Sequence, residues 1–205
     1  MIAVYDPCLI PTTAAPRPQT APSPKDRFTK PVTRVAKTQD KHLFRRLNSE
    51  RQLEECLDWE FEPGTAYHVI SGGDICAISY LRMVLRQQPL HYCAFSTWCM
   101  KLPDVQEVER MVELGRIKRL DSYVGEIFKA QYAKEYSRLI ALHKERGGRV
   151  CIFRNHSKTI IGFGPKFDFL IESSANINDN PRTENTVITI NTELALFYNP
   201  NSQFL

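Results

Sequence analysis

The segment from Arg154 to Asn185 gathers residue types that handle a phosphate group. Arg154-Asn155-His156-Ser157-Lys158 places an imidazole and an ammonium two positions apart. Some fifteen residues on come Ser173, Ser174, Ala175 and Asn176, and then the polar run Asn180-Pro181-Arg182-Thr183-Glu184-Asn185. β-formers flank the pair, with Val150 to Phe153 before it and Thr159 to Ile161 after it. On a strand, residues i and i+2 share a face, so His156 and Lys158 are expected on one surface. A nucleophile or base, a cation, hydroxyl and amide donors and an orienting carboxylate together make a phosphoryl-transfer set. Each member also has a plainer use. A strand histidine is often structural, Ser, Asn and Pro are turn formers, and Arg182 with Glu184 could be a surface ion pair of little energetic weight.

These residues need elements to hold them, and the chain offers enough. Its 205 residues suffice for one domain with a core, and 42% hydrophobic and 24% charged is ordinary for a globular protein. No apolar run is long enough to cross a bilayer, and no secretory signal is expected at the N-terminus. A cytoplasmic location follows as the expectation. The net charge of +4 is uneven: residues 1–52 carry 10 Lys/Arg against 4 Asp/Glu, and the remainder 17 against 19. The basic excess belongs to a leader, residues 1–38, whose first 35 positions hold seven of the thirteen prolines. Such a segment is expected to be disordered or extended. It is a candidate for binding polyanions or docking a partner, and equally for a solvated tail. Cys8, Cys56, Cys76, Cys93, Cys99 and Cys151 show no metal-type spacing, so neither a metal site nor a cofactor is expected, and reduced thiols suit a cytosolic protein.

A helical lead-in is expected over residues 39–62, with a break near Asn48-Ser49. The main domain is expected over 63–205. Its predicted strands are Ala66–Ser71, His91–Thr97, Ile117–Val124, Arg149–Arg154, Lys158–Ile161, Phe167–Glu172 and Thr186–Ile190. Predicted helices run from an Asp74 cap to about Gln87, from Asp104 to Leu114 before Gly115, from 128 to 146, and over Thr192–Tyr198. This rhythm implies an α/β fold, a mixed central sheet with helices on both faces. Trp98, Tyr123, Phe128, Tyr132 and Tyr136 are possible stacking faces for bases, although the spacing of the last three favours the core. Glu126, at a strand end, is a secondary candidate for lining the cleft.

The constellation resembles the HKD motif of the phospholipase D-like superfamily, H-x-K-x4-D-x6-G-S-x-N with a later acidic residue. It is most similar to the single-motif, nuclease-like members of bacteria and phages. Val69-Ile70-Ser71-Gly72-Gly73-Asp74, Phe95 to Met100 and Tyr123 to Phe128 lie where such proteins keep comparable segments, so the resemblance spans roughly 65–200. It implies a metal-independent phosphodiesterase, a nuclease on DNA or RNA in a bacterial, possibly phage-encoded, setting. His156 would attack phosphorus to give a phosphohistidine, and a second His156 from another subunit would protonate the leaving oxygen. Lys158, Ser174 and Asn176 would hold the phosphate oxygens beside Ser173, and Glu184 would orient His156. One motif per chain implies a homodimer. Two positions depart from the pattern: Phe163 stands where the motif has Asp, with Asp168 the nearest acid downstream, and Ser173 replaces Gly. The rival expectation is an inactive phospholipase D-like fold that serves as a nucleic-acid-binding or assembly protein. A phospholipid-directed enzyme ranks lower, because no membrane-surface helix is evident.

Overall fold

A computed structural model describes residues 41–57, 60–178 and 182–199. The predicted Pro-rich leader and its docking role lie outside the described residues. The elements are α1 (Lys41–Cys56), β1 (Ala66–Ser71), α2 (Ala77–Gln87), β2 (Tyr92–Thr97), α3 (Leu102–Glu113), β3 (Leu120–Gly125), α4 (Phe128–Gln131), α5 (Ala133–Arg146), β4 (Gly148–Phe153), β5 (Thr159–Phe163), β6 (Asp168–Ser173), β7 (Glu184–Thr189) and α6 (Thr192–Phe197).

They form an α/β fold around one mixed seven-stranded sheet of order β1-β7-β6-β5-β2-β3-β4. β2, β3 and β4 run parallel; β5, β6, β7 and β1 join by antiparallel pairings. The parallel half is built from strand–helix–strand units. β3 is buried at all six positions, as a strand covered on both faces must be. Helices cover both faces unequally. The larger core joins α2, α3 and α5 to one face through Leu85, Val108, Leu139, Phe95 and Phe169. On the other face α6 lies over β5 and β6, and a smaller cluster of Ala94, Tyr123, Ile161 and Leu170 packs with Leu194 and Tyr198.

Three local expectations change. Helix α1 is continuous through Asn48-Ser49, because Ser49 is fully buried against α2. Helix α2 begins at Ala77, not at Asp74. Asp74 instead accepts the Gly72 amide in its own turn, and Ser49 Oγ, donating to Asp74 O, accepts the Cys76 amide at 3.0 Å. The helix expected over 128–146 is two, because Tyr132 leaves helical geometry (φ −124°, ψ 48°) while Phe128, fully buried, stacks on its ring.

Charge is buried between the first three helices. Arg82 of α2 lies between Glu50 of α1 and Glu107 of α3, all three side chains at most 3% exposed. Arg46 and Arg86 extend the set, to Glu107 at 3.3 Å and to Glu50 at 2.7 Å. Ions taken from water need such close partners to be tolerated. The set joins α1 to the helices packed on the sheet.

Candidate active site at the strand ends

Strand β4 lies at one edge of the sheet, and β5 lies beside β2 on the far side of β3. The segment between them, residues 154–158, therefore crosses the C-terminal ends of β3 and β2. His156 is on this crossing and not on a strand. Lys158 sits at its foot, where β5 begins. The crossing is pinned by Asn155, a residue that sequence reasoning passed over. Its side chain is buried; Nδ2 donates to Ser96 Oγ at 2.8 Å and to Tyr123 O at 3.2 Å, and Oδ1 accepts Ser157 N–H at 2.9 Å. A buried amide with three partners fixes the backbone on both sides of His156. Nothing in the one-dimensional pattern distinguishes it from a turn asparagine.

His156 and Lys158 meet, though not by sharing a strand face. Lys158 Nζ lies 3.1 Å from His156 Nδ1 and donates to the His156 carbonyl at 2.7 Å. An ammonium has donors only, so with Lys158 protonated Nδ1 is the acceptor and the ring proton is assigned to Nε2. Burial lowers the Lys158 pKa, and the nearby Cys99 and Glu184 partly offset that. Lys158 also lines a small pocket with Ala77, Ser96, Ser173 and Ala175.

The remaining predicted residues reach the same strand-end edge from β6, β7 and the loop between them. Ser173 Oγ pairs with Thr186 Oγ1 at 2.8 Å and accepts Ala175 N–H at 3.1 Å, so its hydroxyl is engaged in joining β6 to β7. Ser174 Oγ donates to Glu184 Oε2 and accepts Asn185 N–H at 3.1 Å. The carboxylate that the motif would place on His156 thus holds a serine, and its charge acts on Lys158. Asn176 Oδ1 accepts Trp98 N–H at 3.1 Å, which leaves its NH2 as the donating end. Loop 97–100 is further tied to this segment by Ile177 N–H donating to Thr97 Oγ1 and by a parallel bridge from Met100 to Ile177. The edge therefore presents an imidazole, an ammonium, an amide NH2 and a serine–carboxylate pair.

Phe163 and the nearest downstream acid, Asp168, lie elsewhere or do other work. Phe163 is at the opposite end of β5 from Lys158, its ring 6.1 Å from that of Tyr92. Asp168 accepts Gly164 N–H and the Thr192 hydroxyl, tying the β5–β6 turn to α6. Of the five aromatic candidates, Phe128 and Tyr123 are buried, and Tyr132 and Tyr136 pack on the core. Trp98 alone of the five is paired with His156, ring centroids 5.6 Å apart. Glu126 is exposed just beyond the end of β3. Among the described residues no cluster of three or more His, Cys, Asp or Glu could hold a metal, and no helix is long and apolar enough to cross a membrane.

No family model and no curated protein matches the chain. Among solved structures it is similar to polyphosphate kinase from Porphyromonas gingivalis, at 14% identity and a TM-score of 0.49 over 64% of this chain. The chain spans 24% of that enzyme's length, and a likeness of this degree assigns no function.

Proposed function

We propose that the chain is a phospholipase D-like phosphodiesterase, a metal-independent nuclease that works as a homodimer. The observation that carries this reading is the contact of His156 with Lys158 on a pinned crossing over the strand ends, beside the Trp98 whose backbone N–H Asn176 accepts. Ligands of α/β sheets bind at such carboxyl ends.

In this reading a phosphodiester draws the Lys158 ammonium from Nδ1 onto a non-bridging oxygen, and the Asn176 NH2 joins it there. A ring nitrogen of His156 then attacks phosphorus. The bond to the leaving oxygen breaks, a phosphohistidine forms, and the leaving oxygen takes a proton from the His156 of a second subunit. That same imidazole next removes a proton from water, which attacks phosphorus and breaks the P–N bond. Stabilising the charge on the transferred group is the main task, and cations with preorganised donors do it. One His156 per chain makes the second copy necessary for the proton transfers, so the site would straddle a two-fold axis.

Labelled single- and double-stranded DNA and RNA, incubated in EDTA beside the His156→Ala variant, provide the test. Cleavage that persists in chelator and disappears in the variant is the expected result, with a dimer in sedimentation. A monomer, or cleavage unaffected by the substitution, overturns the proposal.

A second reading draws on Phe163 and on the engaged hydroxyls of Ser173 and Ser174. The motif's acid has no counterpart at its position, and neither serine hydroxyl is idle. Here the same edge holds a nucleic acid phosphate without cutting it. Salt-sensitive binding that survives His156→Ala, with no cleavage, would select this reading over the first.

A further inference from the structure

We infer that Trp98 is a stacking platform for the base next to the bound phosphate, and that the polymer taken by this site is single-stranded nucleic acid. The inference rests on the reading of the site as one that binds a phosphodiester, whether or not it cuts it.

Trp98 leaves the end of β2 half-buried, beside the candidate nucleophile. The two rings are inclined at 52°, so they form the sides of a wedge and do not stack on each other. The indole is held in place. The Trp98 main-chain N–H donates to Oδ1 of Asn176, itself a phosphate-donor candidate through its NH2. Its ring lies where a side chain at Gly125 would be: a Cβ there would come within 2.5 Å of Trp98 Cδ1. An aromatic ring already fixed loses little freedom when a planar ligand settles on it. The wedge sets the indole 5.6 Å from the imidazole that would meet phosphate.

Charge on the same edge agrees with a polyanion. Exposed Arg154 follows β4 on the crossing, and exposed Lys101 follows the loop that carries Trp98. Glu126 and Glu184 lie at the same edge, so the cations there alternate with acids and form no broad basic patch. Stacking on an aromatic face is sequence-tolerant, because every base has one, but it requires a base free of its duplex partner. A duplex would present phosphate to Lys158 and leave Trp98 unused.

The full-length chain is tested in a Trp59→Phe background, so that Trp98 is the sole fluorescent tryptophan. The probes are a short oligodeoxythymidylate, its duplex with oligodeoxyadenylate, and an abasic deoxyribose-phosphate oligomer of equal length, all in EDTA. The single strand is expected to quench Trp98; the abasic oligomer is expected to bind without quenching. In the chain that retains Trp59, Trp98→Leu keeps apolar volume without a π-face, and should weaken single-strand binding about tenfold while leaving the abasic oligomer unchanged. Trp98→Phe should restore most of the loss. Equal weakening of both oligomers, absence of quenching, or preference for the duplex would overturn the inference. Quenching without cleavage would sink only the nuclease reading; cleavage without quenching would sink only the stacking. Binding of neither polymer would end both.

Discussion

Lys158 serves two partners that cannot both have it. Its ammonium bridges the ring and the carbonyl of His156, and the proposed chemistry asks it to face phosphate. Replacing it separates the roles. Lys158→Met should leave Nδ1 without its donor, so that imidazole 15N shifts, expected to show a fixed Nε2–H tautomer in the parent, should show both tautomers in the variant. Burial lowers its pKa from 10.5, which gives a stability signature as well. Below the folded pKa both states hold the proton and the folded state carries the penalty of a partly buried charge. Between that lowered value and 10.5 the unfolded chain binds more protons than the folded one, so stability rises with pH. Urea unfolding across that alkaline window should show the rise in the parent and a flatter profile in Lys158→Met. An equal slope in both proteins would mean that the amine is solvated in the folded state.

Two glycines test the elements that carry the site. Gly162, in the body of β5, faces the Phe169 ring, and a Cβ there would come within 2.3 Å of Cε1. Gly125, at the end of β3, faces Trp98 and the Asn155 carbonyl, at 2.5 and 3.2 Å. Overpacking of either kind costs about 1–3 kcal/mol. Gly162→Ala should lower the urea midpoint and leave the activity of the folded fraction intact. Gly125→Ala should push on the crossing and on the indole together. Displacement of a reacting group by an ångström costs about a hundredfold in rate, and a loss of that order in cleavage is expected. The same two positions mark what was legible in the sequence. The order of strands and helices could be read because glycines and apolar periodicity punctuate it, and β1 runs over Ala66–Ser71 as expected. Ser49's hold on the Cys76 amide and the grip of Asn155 on the crossing depend on contacts between segments 27 to 59 residues apart, and no local pattern encodes those. His156 and Lys158 were recognisable as a pair from their spacing, but the reason they meet is a loop anchored from β2 and β3, not a shared strand face.

For the whole molecule, the ion set between α1, α2 and α3 decides whether the first helix stays in place. Glu107→Ala leaves Arg82 with Glu50 as its remaining named acid, in a setting at most 3% exposed. Removing one partner of a buried pair costs roughly 3–5 kcal/mol; the low end, about 3 kcal/mol, is expected because Glu50 stays. Equilibrium urea unfolding measures it, and a change under about 1 kcal/mol would place the network in solvent-like surroundings. Strand β1 has a further consequence. It is among the first elements in the chain, yet its ladder partner is β7, with Ser71 paired to Glu184 at the edge of the site. During synthesis, residues 66–71 leave the ribosome long before residues 184–189 exist. A growing chain that has already made β2, β3 and β4 still carries one strand without a neighbour, the kind of segment that holdase chaperones guard. A chain arrested after β6 would keep its parallel core and lack both Glu184 and the outer edge, so the proposed phosphate site would be completed only after that core.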